Sequence, residues 1–481
     1  MKLLADTNKD NYGWRIVLLG VLFGGVLVRW LLFARTGFTI GDAFICFRFG
    51  EQFAAGHGLV FNPGERVGGN TSPLHTLCLG LGGCTGMSVS MFARLFGIAC
   101  DIGTFFVMEA VLRTSRGVRS MSYRTAIVAA VFLCPLLFFY SVSGMETPLY
   151  ILLIFFLVWR TLQKVDWVYF LTGLLLVFCR PDAIVAIGAS LLFLTLSTRK
   201  IPWQALIGVF VIGLVYLGFN YLCYKTAIPP TVAVKAVAYH KTAAENFQYI
   251  ADRFFLHRAW VLVVYLGLTG ALWGGFRRNP VVLLSGITAL GYLLFAVFAP
   301  YLRTWYVVPF LTFSGFTILT ALATAVETMS VPIPDAFVVG ALAVYTLAAC
   351  YGYKLVFHES RIWRGLTRAL SESEGTWLRD NTPSDARVFV TALETGYFSK
   401  RYTVDYPGLV CPAVLQMIKS TPQMELLEMA DRLEVDYAVV PTELCKKVPP
   451  NFRLVKIFRT EREAPHMGLG EGFYSLYQRQ P

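Results

Sequence analysis

Apolar runs close to the length of a bilayer crossing recur through the first 355 of the 481 residues. A helix needs about 20 mostly apolar residues to cross the hydrocarbon core, where every backbone N–H and C=O must be paired inside protein. By that measure the sequence predicts eleven spans, near 14–33, 93–112, 125–140, 148–163, 167–179, 183–198, 203–224, 259–275, 281–299, 304–325 and 336–355. The first run is too long for a cleaved signal peptide, and no small-residue cleavage site follows it. Charged residues make up 15% of the chain and hydrophobic ones 56%, where a soluble chain carries about 25% charge. An apolar surplus of that size excludes disorder, a collagen repeat and a disulfide-stapled miniprotein.

The formal net charge of +12 would suit a nucleic-acid partner, but its placement argues otherwise. Residues 356–481 hold 16 Lys/Arg and 16 Asp/Glu, whereas residues 1–355 hold 26 and 14. A nucleic-acid binder concentrates its basic excess in a soluble domain or tail; here the excess is interleaved with apolar runs, so no nucleic-acid partner is expected. Alternate connections carry Arg113, Arg116, Arg119 and Arg124, then Arg160 and Lys164, then Arg199 and Lys200, then Arg277 and Arg278, with Asp166 the only acid among them. The positive-inside rule makes these loops cytoplasmic. Loops 34–92, 141–147, 180–182, 225–258 and 300–303 then lie outside, together with the tail. The expected fold is an α-helical polytopic membrane protein of about eleven transmembrane helices in residues 1–355, followed by an extracytoplasmic α/β domain in residues 356–481.

Within the tail, 387–391, 402–405 and 436–440 read as strands, 454–458 and 473–477 as edge strands, and 423–433 as a helix begun by Thr421-Pro422. There is neither a strand–helix G-x-G-x-x-G nor a P-loop, so nucleotide-dependent chemistry is not expected there. The ten cysteines lack metal spacing. Cys100, Cys134, Cys179, Cys223 and Cys350 read as core filler. Cys411 and Cys445 share the outer domain, and their pairing stays open.

The first outer loop opens with Asp42, just past the first span and before an aromatic-rich stretch. A carboxylate at that boundary can meet a lipid headgroup from one side and an aqueous acceptor from the other. It suits a general base toward a hydroxyl, a cation ligand or a sugar contact, and equally an N-cap for the segment starting at Ala43. Glu146, in Gly144-Met-Glu-Thr-Pro148, fits a substrate site or an ordinary helix start. Arg180-Pro181-Asp182 interrupts an apolar run, where charge marks either a site or an ion pair closing a turn. Trp305 reads as an interfacial belt residue, and Glu109 as the partner of Arg113 one turn on.

Several strings resemble one family. They are Asp42, Phe47 and Arg48; Gly56-His57-Gly58; Asn62-Pro63-Gly64-Glu65-Arg66; and Thr71-Ser72-Pro73-Leu74. With Ser143 to Leu149, Arg180-Pro181-Asp182, Pro229 to Lys235 and Tyr301 to Tyr306, they look like the membrane-embedded C-type (GT-C) glycosyltransferases, most of all the mycobacterial terminal β-arabinofuranosyltransferase group. Thr395 to Phe398, Asp405 to Leu409 and Asp436-Tyr437 extend the likeness into the tail. Two positions depart from it. Gly41 stands where the family usually has the first acid of a pair, leaving Asp42 the only carboxylate at the loop's opening. His75 stands where the family usually has Trp.

The resemblance implies a bacterial plasma-membrane enzyme. It would transfer a sugar, D-arabinofuranose in the nearest group, from a polyprenyl-phosphate donor to a cell-envelope glycan or glycoprotein outside the membrane. It assigns Asp42 as the catalytic carboxylate and Arg48, Lys235 and Arg303 as donor-phosphate contacts. His57, Glu65, Asn70, His75, Glu146, Arg180 and Asp182 become substrate-binding residues. No cofactor is called for, and a divalent cation stays open. The rival classes are a lipid-linked-glycan transporter or flippase, which calls for internal repeats not found in this sequence, and a non-catalytic envelope assembly protein, which would tolerate Asp42→Asn.

Overall fold

The computed structural model describes residues 9–115, 117–227, 229–238, 241–254, 279–329, 334–459 and 473–480. Among these, six helices are long and apolar enough to cross a membrane: Tyr12–Thr36, Val89–Thr114, Pro181–Thr198, Trp203–Tyr224, Pro280–Phe298 and Thr304–Thr328. Met121–Phe132 and Pro135–Ser141 meet at a 54° bend and make a seventh if they form one broken span. Pro135 has no N–H to continue the first segment's ladder, which accounts for the break. Thr147–Gln163 and Trp167–Cys179 are shorter apolar helices. The expected span 336–355 falls within the helix Asp335–Thr367, which runs unbroken past residue 356. The expected span 259–275 lies outside the described residues, as do Arg116, Arg277 and Arg278.

Polar side chains start several helices. The Ser88 hydroxyl accepts the Met91 N–H at 3.4 Å, the Asn279 amide oxygen accepts Val281 N–H at 3.1 Å, and Asp166 accepts Val168 and Tyr169 N–H at 3.1 and 3.2 Å. Each satisfies a donor that the first helical turn leaves unpaired. Asp166 also pairs with Arg160 at 2.5 Å, and Glu109 accepts from Arg113 at 3.0 Å as expected.

One interior pair had no forecast. Arg29 is fully buried, its Nε 2.6 Å from Asp101 and its guanidinium 4.1 and 3.9 Å from the ring centres of Phe132 and Phe138. A charge inside an apolar bundle persists only when so paired and stacked. The contact ties the first span to Val89–Thr114 and to the bent pair.

The C-terminal domain contains a five-stranded sheet: β1 (Arg387–Val390), β2 (Tyr402–Asp405), β3 (Tyr437–Pro441), β4 (Phe452–Arg459) and β5 (Phe473–Arg479), in the order β2-β1-β3-β5-β4. The first three strands are parallel, and β5 runs antiparallel between β3 and β4. Thus 452–459 is an edge strand as expected, whereas 473–479 is interior. The two faces are covered separately: Phe389, Val404, Leu427 and Ala438 on one side, Leu378, Val388, Val439 and Leu476 on the other. That alternation is what burial of both faces demands. The expected helix 423–433 is found as Leu426–Arg432, and helices Leu393–Ser399 and Pro412–Ser420 were not anticipated. Cys411 and Cys445 are both free thiols.

Candidate functional site

The loop 37–72 after the first span is held in place from both sides. Its entry is fixed by the Ile40 N–H donating to the Ser143 carbonyl at 3.0 Å, so this loop meets the one at 142–146. Its far side docks on the C-terminal domain. Glu51 accepts from the Tyr397 hydroxyl at 2.8 Å and from Lys400 at 2.6 Å. Asn62 exchanges two bonds with the Thr403 backbone, at 2.9 and 3.0 Å, and Glu65 accepts from the Tyr402 hydroxyl. Asp405 closes the next turn by accepting the N–H groups of Gly408, Leu409, Val410 and Cys411 at 2.7 to 3.2 Å. This turn carries Leu409 into the wall of a cavity.

The cavity measures about 290 Å³ and is lined by Asp42, Asn70, Glu146, Arg180, Asp182 and Lys235 together with the aromatic group Tyr301, Trp305 and Tyr306. Its size is at the lower end for small-ligand sites. Asp42 occupies the cap position of the helix Ala43–Ala54 but makes no side-chain capping bond, and its side chain is exposed. Among the described residues no hydrogen bond or ion pair engages its carboxylate, so the N-cap alternative is not what this side chain does.

The cations differ in how free they are. Arg180 is spent on its neighbours: Nε and one terminal nitrogen reach the two Asp182 oxygens at 2.9 Å each, Glu146 lies 3.9 Å away, and Tyr150 and Tyr306 sandwich the guanidinium at 4.6 and 4.7 Å. Lys235, on the helix Pro230–Ala238, donates to the Tyr306 hydroxyl at 3.0 Å and pairs with no carboxylate among the described residues. Burial works against its charge, but the Tyr306 oxygen, Asp42 and Tyr301 more than offset that and hold its proton more tightly than usual. Arg303 is exposed beside this group, donating to the Tyr301 hydroxyl.

Other expected site residues face elsewhere. Arg48 is buried and donates to the Phe61 carbonyl at 3.2 Å. His57 is exposed and bonded to Gln52 at 2.7 Å, and Glu65 holds Tyr402. His75 is buried 3.2 Å from the Gly144 carbonyl, and burial lowers its pKa to about 4, so it is neutral. Within the described structure these four side chains brace the loop. Trp305, expected in an interfacial belt, is instead buried in the cavity wall. Tyr306 and Leu409 line the same wall; both belong to strings that resemble the family, but neither had an expected site role.

With this arrangement in view, comparison with known proteins is informative. ArnT from Cupriavidus metallidurans bound to undecaprenyl phosphate superposes with a TM-score of 0.62 at 14% identity, over 96% of this chain and 98% of that one. Its apo state gives 0.64 at 13% identity, over 97% and 98%. The oligosaccharyltransferase AglB from Archaeoglobus fulgidus, in complex with an inhibitory peptide and a dolichol-phosphate, gives 0.60 at 12%, over 89% and 69%. The fold is that of the GT-C glycosyltransferases. A family model described as a domain of unknown function (DUF8728) matches residues 363–477, within the outer part of this GT-C fold. No curated protein matches the chain.

Among the described residues no group of three or more His, Cys, Asp and Glu side chains is placed to hold a metal, and the Glu146 and Asp182 carboxylates face Arg180. What the cavity offers, among those residues, is a carboxylate and an ammonium that no opposite charge pairs, together with an aromatic wall.

Proposed function

We propose that this protein is an integral-membrane glycosyltransferase that moves a sugar from a polyprenyl-phosphate donor to a hydroxyl of a cell-envelope glycan or glycoprotein on the outer face of a bacterial plasma membrane. The observation that carries this reading is one cavity lined by both the Asp42 carboxylate and the Lys235 ammonium, neither of them ion-paired among the described residues. The acceptor oxygen bonds to the anomeric carbon as its proton passes to Asp42. The bond from that carbon to the phosphate oxygen breaks, and polyprenyl phosphate leaves with the electron pair. Lys235 offsets the charge that grows on the leaving phosphate, and Arg303 at the rim meets the same group or a lipid headgroup. Arg180, already neutralised, holds Asp182 and Glu146 as acceptors for sugar hydroxyls. The loop-one resemblance favours D-arabinofuranose as the sugar, and the outer domain, which contributes Leu409 to the wall, faces the acceptor.

The test is transfer by the purified protein from a panel of synthetic polyprenyl-phosphate sugars, pentoses included, to glycan acceptors. The wild type is expected to consume one donor, and Asp42→Asn to lose on the order of 10²- to 10⁴-fold in rate. Full activity in that variant would remove Asp42 from this role. A wild type that moves a donor across vesicles without consuming it would favour a lipid-glycan carrier instead.

A further inference from the structure

Gly41 has no side chain, and the space one would need is taken. A Cβ at residue 41 would collide with Oε1 and Cδ of Glu394, from the helix Leu393–Ser399 of the outer domain. A carboxyl group from the far part of the chain is therefore pressed against the backbone one residue before Asp42. Other acids at this domain contact have partners: Glu51 has Lys400 and Tyr397, and Glu65 has Tyr402. Glu394 is different. Among the described residues no other side chain hydrogen-bonds or ion-pairs with it. The titratable groups around it are Asp42 from the loop, Glu374 from the helix Ser373–Asn381 and the Tyr474 phenol from β5, none of them a cation. An acid packed with other acids costs free energy that Leu or Met at the same place would not.

We propose that Glu394 is a positioning residue of the site: through its contact with Gly41, the outer domain supplies a second, ionisable charge behind Asp42. The inference rests on the glycosyltransferase reading above. A sugar leaving a phosphate acquires positive charge at its ring, and added negative potential at the Asp42 end of the cavity favours that transition state. Burial, together with the charge of Asp42, raises the Glu394 pKa to about 7. Its ionisation therefore falls in the physiological range, and docking of the outer domain is what brings the charge to the loop.

The experiment is the pH dependence of transfer between pH 6 and 8 for wild type, Glu394→Gln and Gly41→Ala, with melting midpoints recorded over the same range. Wild-type turnover is expected to rise across this window. Glu394→Gln should lose the rise and fall on the order of threefold to tenfold below wild type at pH 8. Gly41→Ala, which displaces the carboxyl while leaving it titratable, should move the inflection. A purely structural role would instead lower the rate by one factor at every pH. A uniform loss of that kind, or a wild-type rise retained in Glu394→Gln, overturns the proposal. The midpoints read ionisation without catalysis: the wild-type midpoint should drop between pH 6 and 8 more than that of Glu394→Gln, and equal drops also overturn it. Absence of transfer by the wild type would count against the glycosyltransferase reading, while the midpoints would still report on Glu394.

Discussion

The Lys235 ammonium stands 3.0 Å from the Tyr306 hydroxyl, joining an outer-loop helix to the start of the span Thr304–Thr328. The phenol orients the cation without neutralising it, which leaves its charge for an anionic ligand. Lys235→Met is expected to lower turnover by about 10²-fold, the scale of one lost charge-stabilising donor in a dry site. Tyr306→Phe keeps the charge and loses the one hydrogen bond that the ammonium donates to the phenol, worth about 1.5 kcal/mol or somewhat over tenfold. Steady-state rates of the two variants, with polyprenyl-phosphate affinity measured separately, check both the order and the gap.

Arg180 and Asp182 form a two-point buried pair, with Glu146 as a weaker third member. Removing one partner of such a pair leaves a buried charge uncompensated, at a cost of about 3 kcal/mol or more. Asp182→Asn should therefore lower the melting midpoint by several degrees, whereas Arg180→Met with Asp182→Leu should restore much of it. A midpoint unchanged in Asp182→Asn would mean that the pair is not a structural element.

Why some of this was legible and some not follows from where the signal resides. Glu146, Arg180 and Asp182 are charges in apolar surroundings, a local pattern that marks them, whereas Asp42 and Asn70 lie in one continuous loop and are assigned through its resemblance to a family. Arg48, His57, Glu65 and His75 share the same stretch, but sequence proximity does not say which way a side chain points, and these four turn to brace the loop. Arg29 and Asp101 each sit within an apolar run, and only the packing of two helices makes them a pair. Glu394 and Leu409 reach the site through docking of a domain hundreds of residues downstream, for which no periodicity exists. The strands were readable because β-branched and aromatic runs alternate with turns; placing β5 inside the sheet required its pairing with both β3 and β4.

The docking contacts should differ in strength. Asn62 is buried and makes two bonds to Thr403, so Asn62→Ala leaves backbone groups unpaired, at roughly 2 kcal/mol. Glu51 and Lys400 are each about a third exposed, and solvent screening limits Lys400→Met, which leaves the Tyr397–Glu51 bond in place, to about 1 kcal/mol or less. Limited proteolysis of the C-terminal domain should accordingly speed up more in Asn62→Ala than in Lys400→Met. The reverse order would place the main hold on the charged contact.

Glu374 gives the C-terminal domain a pH-dependent stability of its own. Its side chain is almost wholly buried; one oxygen accepts from Thr395 at 2.7 Å, and the other has no hydrogen-bond partner among the described residues. Burial raises its pKa to about 7, the Thr395 hydrogen bond opposing and the nearby Glu394 adding to the rise. A carboxyl whose folded pKa exceeds its unfolded one favours the fold fully below the unfolded value and ceases to do so as pH rises through the folded one. Stability should thus fall between about pH 5 and pH 8, by an amount on the order of 2 kcal/mol. Glu374→Gln keeps an uncharged side chain of the same shape throughout. Its denaturation midpoint should lie close to wild type at pH 5 and above it at pH 8, and a variant that tracks wild type across the range would show that Glu374 does not titrate there.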